Sequence, residues 1–246
     1  MRRAFVQLLR TELRLFLREP MAVFFNVLFP VLLLLVMGPI FGNEASSVFN
    51  GYGSVDIFMP GFVAIMIGSY SLVGLPLTLA SYREQGVLKR FRAAPISPGM
   101  VFGAQAVVCV LVVFLGTAVL IGTAALLFPL RSPDAPLQLV PALFIATLSF
   151  STLGFLLGSV LRTARAAQAV GNAVFFPMLF LSGAAMPRML FPEWMQNIGA
   201  AMPLTYVVTL LQDLWIGQGW NGTALLILGI LVGGNLLLAT VLFRQS

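Results

Sequence analysis

The sequence predicts an all-α integral membrane protein. It has six transmembrane helices, an N-terminal amphipathic helix lying in the interface, a short cytoplasmic helix in the second loop, and outer re-entrant half-helices between spans five and six. Three observations lead there. Six runs, 21–41, 57–80, 100–128, 138–161, 166–186 and 222–243, contain no Asp, Glu, Lys or Arg. The shortest, at ~1.5 Å per residue, reaches ~30 Å, the thickness of a bilayer core. Charged residues make up 9% of the 246-residue chain and mean hydropathy is +1.00, against about 25% charged in soluble domains. Finally, the segments 1–20, 81–99, 162–165 and 244–246 carry five, four, two and one Lys or Arg, twelve of the fourteen in the chain.

In chain order, residues 1–20 hold the interfacial helix. At about 100° per residue, Arg3, Arg10, Arg14 and Arg18 fall in an arc of about 80°, with Phe5, Val6, Leu9, Leu13 and Phe16 in about 100° on the other side. Pro20 ends it, because the residue before a proline is pushed out of the helical region. The bland reading is a topogenic anchor; the sharper one is an elbow that also touches a cytoplasmic partner. Spans one and two follow. In the loop 81–99 the stretch 83–95 reads as one short helix stopped by Pro95, with Val87, Leu88, Phe91 and Ala94 on one face and Glu84 among them. Water does not explain Leu88 and Phe91, and lipid does not explain Glu84. The stretch therefore suits a cleft in another protein, with an interfacial helix on anionic lipid as the alternative.

Spans three, four and five come next. The 187–221 segment is too apolar for a solvated loop and is broken by Pro187, Pro192 and Pro203. It reads as two half-helices dipping into or lying on the outer leaflet, with Trp194, Trp215, Trp220 and Tyr206 at the headgroup level. Span six closes a single domain, 1–246. Pro30, Pro76 and Pro177 are expected to kink their spans. Gly38/Gly42, Gly154/Gly158 and Gly229/Gly233 read as packing positions. Asn26, Gln105, Gln168 and Asn172 are the notable span amides, read as inter-helix hydrogen-bonding groups in preference to cargo ligands.

The basic residues mark the cytoplasmic side, which places both termini there. Scattered at span ends, they form no patch for nucleic acid. The N-terminal apolar run is too long for a cleavable signal, and we see no internal repeat. Cys109 is the sole cysteine, so no disulfide forms within the chain. With no histidine there is no His-based zinc site, and no metal site is expected. Isolated acids supply no magnesium cluster, and no mid-membrane base serves an intramembrane protease. An ion channel or secondary carrier is the rival class, but it usually places ionisable groups mid-membrane.

The elements Arg83-Glu84-x-Gly86-x-Leu88, Arg92-Ala93-x-Pro95-x-Ser97, Leu181-Ser182-Gly183 and Pro203-Leu204-Thr205-Tyr206, with this topology, resemble the type-two permeases of ATP-binding-cassette (ABC) exporters, and the resemblance covers essentially the whole chain. One departure is Met202, where the family often has Asn. The resemblance implies a transport subunit, not an enzyme, in a bacterial inner membrane. It would pair with a second copy or close homologue above two copies of a separate ATPase, which binds the ATP and magnesium. This chain has no phosphate-binding loop of its own and holds no cofactor. The 83–95 helix would be the coupling helix, with Arg83, Glu84, Gly86, Leu88, Phe91, Arg92 and Pro95 as its contacts.

Also by resemblance, spans one, two and five would line the cargo path, with Phe24, Phe25, Asn26, Phe29, Phe175 and Phe176 as candidate contacts. The alternative is that these rings face lipid or neighbouring helices. Uncharged spans suit hydrophobic or amphipathic cargo and not small ions; drug-like or antibiotic-like cargo is favoured over lipid-linked polysaccharide or glycolipid, the alternative, because all three Trp and three of the four Tyr lie outside the spans.

Overall fold

Helix breaks in this chain follow its prolines, glycines and side-chain caps. The computed structural model describes residues 2–45, 49, 51–87 and 98–244, and among them there are helices and turns but no strand. α1 (Arg2–Arg18) ends where Glu19 turns extended ahead of Pro20. α2 (Pro20–Phe41) follows directly and α3 (Ser54–Glu84) is the longest helix, at 31 residues. α4 (Pro98–Leu127), α5 (Pro136–Val160) and α6 (Ala164–Leu181) complete the five helices that, among the described residues, are long and apolar enough to cross a membrane. The short α7 (Glu193–Ala200) and α8 (Pro203–Trp215) precede α9 (Gly222–Arg244), a further apolar helix of 23 residues. Side chains cap the starts of three of these helices. Gly53 N donates to the Asp56 carboxylate at 3.2 Å, Thr163 accepts from Ala166 N at 3.1 Å and Asn221 from Ala224 N at 2.9 Å.

Two of the expected proline kinks take a definite form. A π-helical turn occupies Phe24–Leu28, two residues short of Pro30, and another occupies Tyr70–Gly74, two residues short of Pro76. A proline in a helix donates no hydrogen bond and its ring crowds the carbonyl four residues back, so the preceding turn widens. Phe29 N then bonds Phe24 O, and Leu75 N bonds Tyr70 O, five residues back in each case. Pro177 sits inside α6 without such a turn.

α3 is the axis of the fold. Every residue from 54 to 69 is buried, and α2, α4, α5, α6 and α8 all pack on this helix. Glycine permits the closest approaches. A Cβ on Gly154 would lie 1.8 Å from Ser71 O, and one on Gly171 2.4 Å from Leu72 O, so α5 and α6 abut the π turn of α3 directly. Outside this core, α1 lies on α4 and α9 on α5.

Several boundaries differ from the sequence expectation. Span five, expected over 166–186, is helical only to Leu181, because Gly183 takes φ +91. Span two runs on to Glu84. Arg83 and Glu84 therefore close that helix, and Gly86, at φ +69, turns the chain away. Trp215, expected at the headgroup level, is buried instead. It shares one helical stripe with Leu204, Val208 and Leu211, all turned into the core. Trp194 and Trp220 are exposed.

Candidate functional site

The C-terminal end of α3 carries the first candidate group. Tyr82 and Arg83 are consecutive and reach different helices. The Arg83 guanidinium donates through Nη1 to Leu161 O and through Nη2 to Ser159 O at 3.1 Å. The last carbonyls of a helix have no intrahelical donor and carry the negative end of the helix dipole. Arg83 therefore satisfies the end of α5. Glu84 is exposed and Gly86 half-buried. Leu88, Phe91, Arg92 and Pro95 lie outside the described residues.

Tyr82 joins a network with Gln105, one of the span amides read as inter-helix hydrogen-bonding groups, and Glu12, which was not among the candidate residues. Its hydroxyl donates to Glu12 Oε2 at 2.7 Å, and Gln105 Nε2 donates to the same oxygen at 2.7 Å. Glu12 is 4% exposed, and burial raises its pKa above the ordinary carboxylate value against the lowering effect of the two hydrogen bonds. A signal was present, since Glu12 lies at the edge of the apolar arc of α1. The buried face of that helix is Leu8 and Glu12, flanked by Phe5, Leu9, Leu13 and Phe16, while Arg10, Arg14 and Arg18 are exposed. Arg3 lies in the same helix; its side chain is outside the described residues.

The second group is mid-span. Phe24, Phe25 and Phe29 form one aromatic cluster on α2, with centroids 5.2 to 6.5 Å apart. Phe175 and Phe176 form a second pair, 5.8 Å apart, on α6. Phe25 and Phe176 are exposed, whereas Phe175 is buried against Gly68. Asn26 points inward from the π turn of α2. It accepts from Ser69 Oγ at 2.8 Å and donates to Ala22 O at 2.8 Å, and it is 3% exposed. Its geometry is that of a tie between α2 and α3. Gln168 is exposed and Asn172 half-buried.

Two polar clasps close the other end of the molecule. Asn43 Oδ1 accepts from Val55 N at 2.9 Å while its Nδ2 donates to Pro129 O at 2.9 Å. Asp56 accepts from Arg131 N at 3.0 Å. Tyr52 donates to Asp134 and to Ile216 O, both at 3.0 Å, under the Arg131 guanidinium, which lies 4.7 Å from its ring centroid. In the second clasp, Thr205 Oγ donates to Gly199 O at 2.5 Å and the Tyr206 hydroxyl to Ala200 O at 2.8 Å. The Pro-Leu-Thr-Tyr element thus fastens α8 to the end of α7. Met202 makes no side-chain cap there. Among the described residues, no three His, Cys, Asp or Glu side chains gather where they could hold a metal ion.

Comparison with known proteins agrees with this architecture. A ycf38 protein of Pyropia yezoensis, designated a transport permease, is 26% identical over 209 residues, covering 84% of this chain and 72% of its own. The daunorubicin resistance ABC transporter permease DrrB1 of Streptomyces coeruleorubidus is 27% identical over 199 residues, 78% of this chain and 67% of its own. The inner membrane transport permease YhhJ of Escherichia coli K12 is 24% identical over 189 residues, 74% of this chain and 50% of its own. The family model described as ABC-2 type transporter matches residues 3–215, so this multi-helix membrane protein belongs to the ABC-2 type transporter family, as a permease component.

Proposed function

We propose that the chain is the membrane half of an ATP-driven exporter that moves hydrophobic or amphipathic, drug-like molecules out of the cell. The observation that carries this reading is the family match over residues 3–215, which implies an ABC ATPase partner. That partner is a separate subunit, present in two copies, and it supplies ATP and magnesium. It docks on the loop that begins at Glu84, the exposed residue closing α3. In this reading α9 is the sixth span, so both termini lie on one side, which the excess of Lys and Arg makes the cytoplasm of a bacterial inner membrane, and α7 and α8 are the outer half-helices. A second copy or close homologue completes the path.

The cargo class rests on six apolar runs free of Asp, Glu, Lys and Arg and on the exposed rings of Phe25 and Phe176. Such rings supply broad apolar contact without strict geometry. The daunorubicin resistance permease is a relative in keeping with it. Export of lipid-linked polysaccharide or glycolipid is the second reading, and an ion channel or secondary carrier the reading from another class.

A deletion strain tested on a drug panel that includes daunorubicin, beside an analysis of its surface glycans, separates these. Increased drug susceptibility with intact glycans is expected. Unchanged susceptibility with lost surface glycan replaces the drug reading by the second. Transport that proceeds without any ATPase subunit overturns both.

A further inference from the structure

We propose that Arg83 is the positioning residue that hands movement of the second loop to span four, and that it does so inside this chain and not as a contact to the ATPase. The inference rests on the coupling-loop reading above. Arg83 and Glu84 are neighbours at the end of α3, yet Glu84 is exposed while the Arg83 guanidinium is turned inward onto Ser159 O and Leu161 O at the end of α5. Two donors of one planar group on two carbonyls fix direction as well as distance. Arginine keeps its charge at any physiological pH, so the tie persists.

Packing beside this tie leaves little slack. A Cβ on Gly158 would lie 2.8 Å from Leu79 Cδ1 and 3.1 Å from Pro76 Cα. The lower arm of α3, from Leu75 to Glu84, therefore lies directly against the lower half of α5. Above that arm sits the π turn at Tyr70–Gly74, where the regular ladder is already interrupted. A pull on the loop is thus delivered to a stiff pair, α3 arm and α5 end, beneath a ready bend. Beyond Leu161 only Arg162 and Thr163 intervene before α6, so the end of α5 passes the same displacement to span five.

The test uses the permease with its ATPase in a Cys109→Ala background. Environment-sensitive labels are placed at Gln85→Cys, on the loop side, and at Arg162→Cys, beyond α5; both positions are exposed. Trapping the ATPase with ATP and vanadate should shift both labels. In Arg83→Ala the Gln85→Cys label should still shift, while the Arg162→Cys shift falls at least about fivefold, the lower end of usual coupling strengths. Arg83→Lys should be intermediate, because an ammonium does not span both carbonyls. Where Arg83→Ala is not recovered folded, Arg83→Gln, which keeps a donor without the charge, replaces it with the same expectation.

An undiminished Arg162→Cys shift overturns the inference. So does loss of ATPase co-purification, which makes Arg83 a partner contact. If neither label shifts in the parent with the ATPase bound, the coupling-loop reading itself fails and takes the inference with it.

Discussion

α2 and α3 each carry a π-helical turn that ends two residues before a proline, yet 22% of the most apolar window of α2 is buried against 78% for α3. The more apolar helix is the less buried one. α2 buries a single stripe, Asn26, Pro30, Leu34 and Gly38, and exposes Phe25, Leu28, Leu32, Leu35, Val36 and Ile40. α3 is buried throughout 54–72, and where it meets α5 and α6 its neighbours offer Gly154, Gly158 and Gly171. In water, hydropathy sorts inside from outside. In lipid, a leucine gains nothing by leaving the acyl chains, so small residues and inter-helix hydrogen bonds select the buried helix.

The largest expected effect is at the glycines. Gly154→Leu would drive a side chain into the α3 backbone at Ser71, and we expect no monodisperse protein on gel filtration. Gly229→Leu, with nothing within 4 Å, should be recovered like the parent. Equal recovery of the two would break the comparison.

Next come matched phenylalanines. Phe62→Ala, at 1% exposure in α3, should destabilise the chain by about 3–5 kcal/mol in a detergent unfolding titration. Phe25→Ala, at 42% exposure in α2, should cost little. A large loss from Phe25→Ala that appears only at high protein concentration would sharpen the contrast, by showing a second copy on the exposed face of α2.

The bond joining the two helices is weaker. A double-mutant cycle on Asn26→Ala and Ser69→Ala should return about 0.6 kcal/mol and no more than about 1.7. Zero coupling energy would remove the tie between α2 and α3 from the account.

The smallest effect is at the C-terminal end of α3. Glu12 has its pKa raised in the folded chain, so the folded state holds the proton more tightly than the unfolded one. Its contribution is greatest below the ordinary value of 4.5 and is lost as pH rises through the raised value. Glu12→Gln should flatten that part of the melting-temperature profile and raise the melting temperature slightly at neutral pH. A profile unchanged by Glu12→Gln would refute the buried carboxylate as its source.

The site was partly legible for the same physical reason. Glu84 could be singled out because a charge stands out on an apolar face, and Arg83 and Gly86 because the motif they share with it resembles that of a known family. That Arg83 and Glu84 face opposite ways depends on where α3 ends and on the nearness of Ser159 and Leu161, some eighty residues on. Glu12 was countable as an acid in the basic N-terminal segment, but its partners Tyr82 and Gln105 lie 70 and 93 residues away. The Asn43, Asp56 and Arg131 clasp was equally out of reach, since it is made largely of side chains meeting distant backbone.

By itself the sequence determined the helical class, the apolar runs and the breaks at Pro20 and Pro203, because lipid requires every backbone group to be paired within its own segment; the break at Gly86, inside the stretch read as one helix over 83–95, came only with the structure. It also located the kinks at Pro30 and Pro76, though not their π-helical form. Only the tertiary structure decided which span is enclosed, that Trp215 turns inward, that Asn26 meets Ser69 and that Arg83 caps α5. Hydropathy in a membrane is nearly uniform along every span, so which helix faces which rests on a few glycines and polar side chains whose partners are remote in the chain.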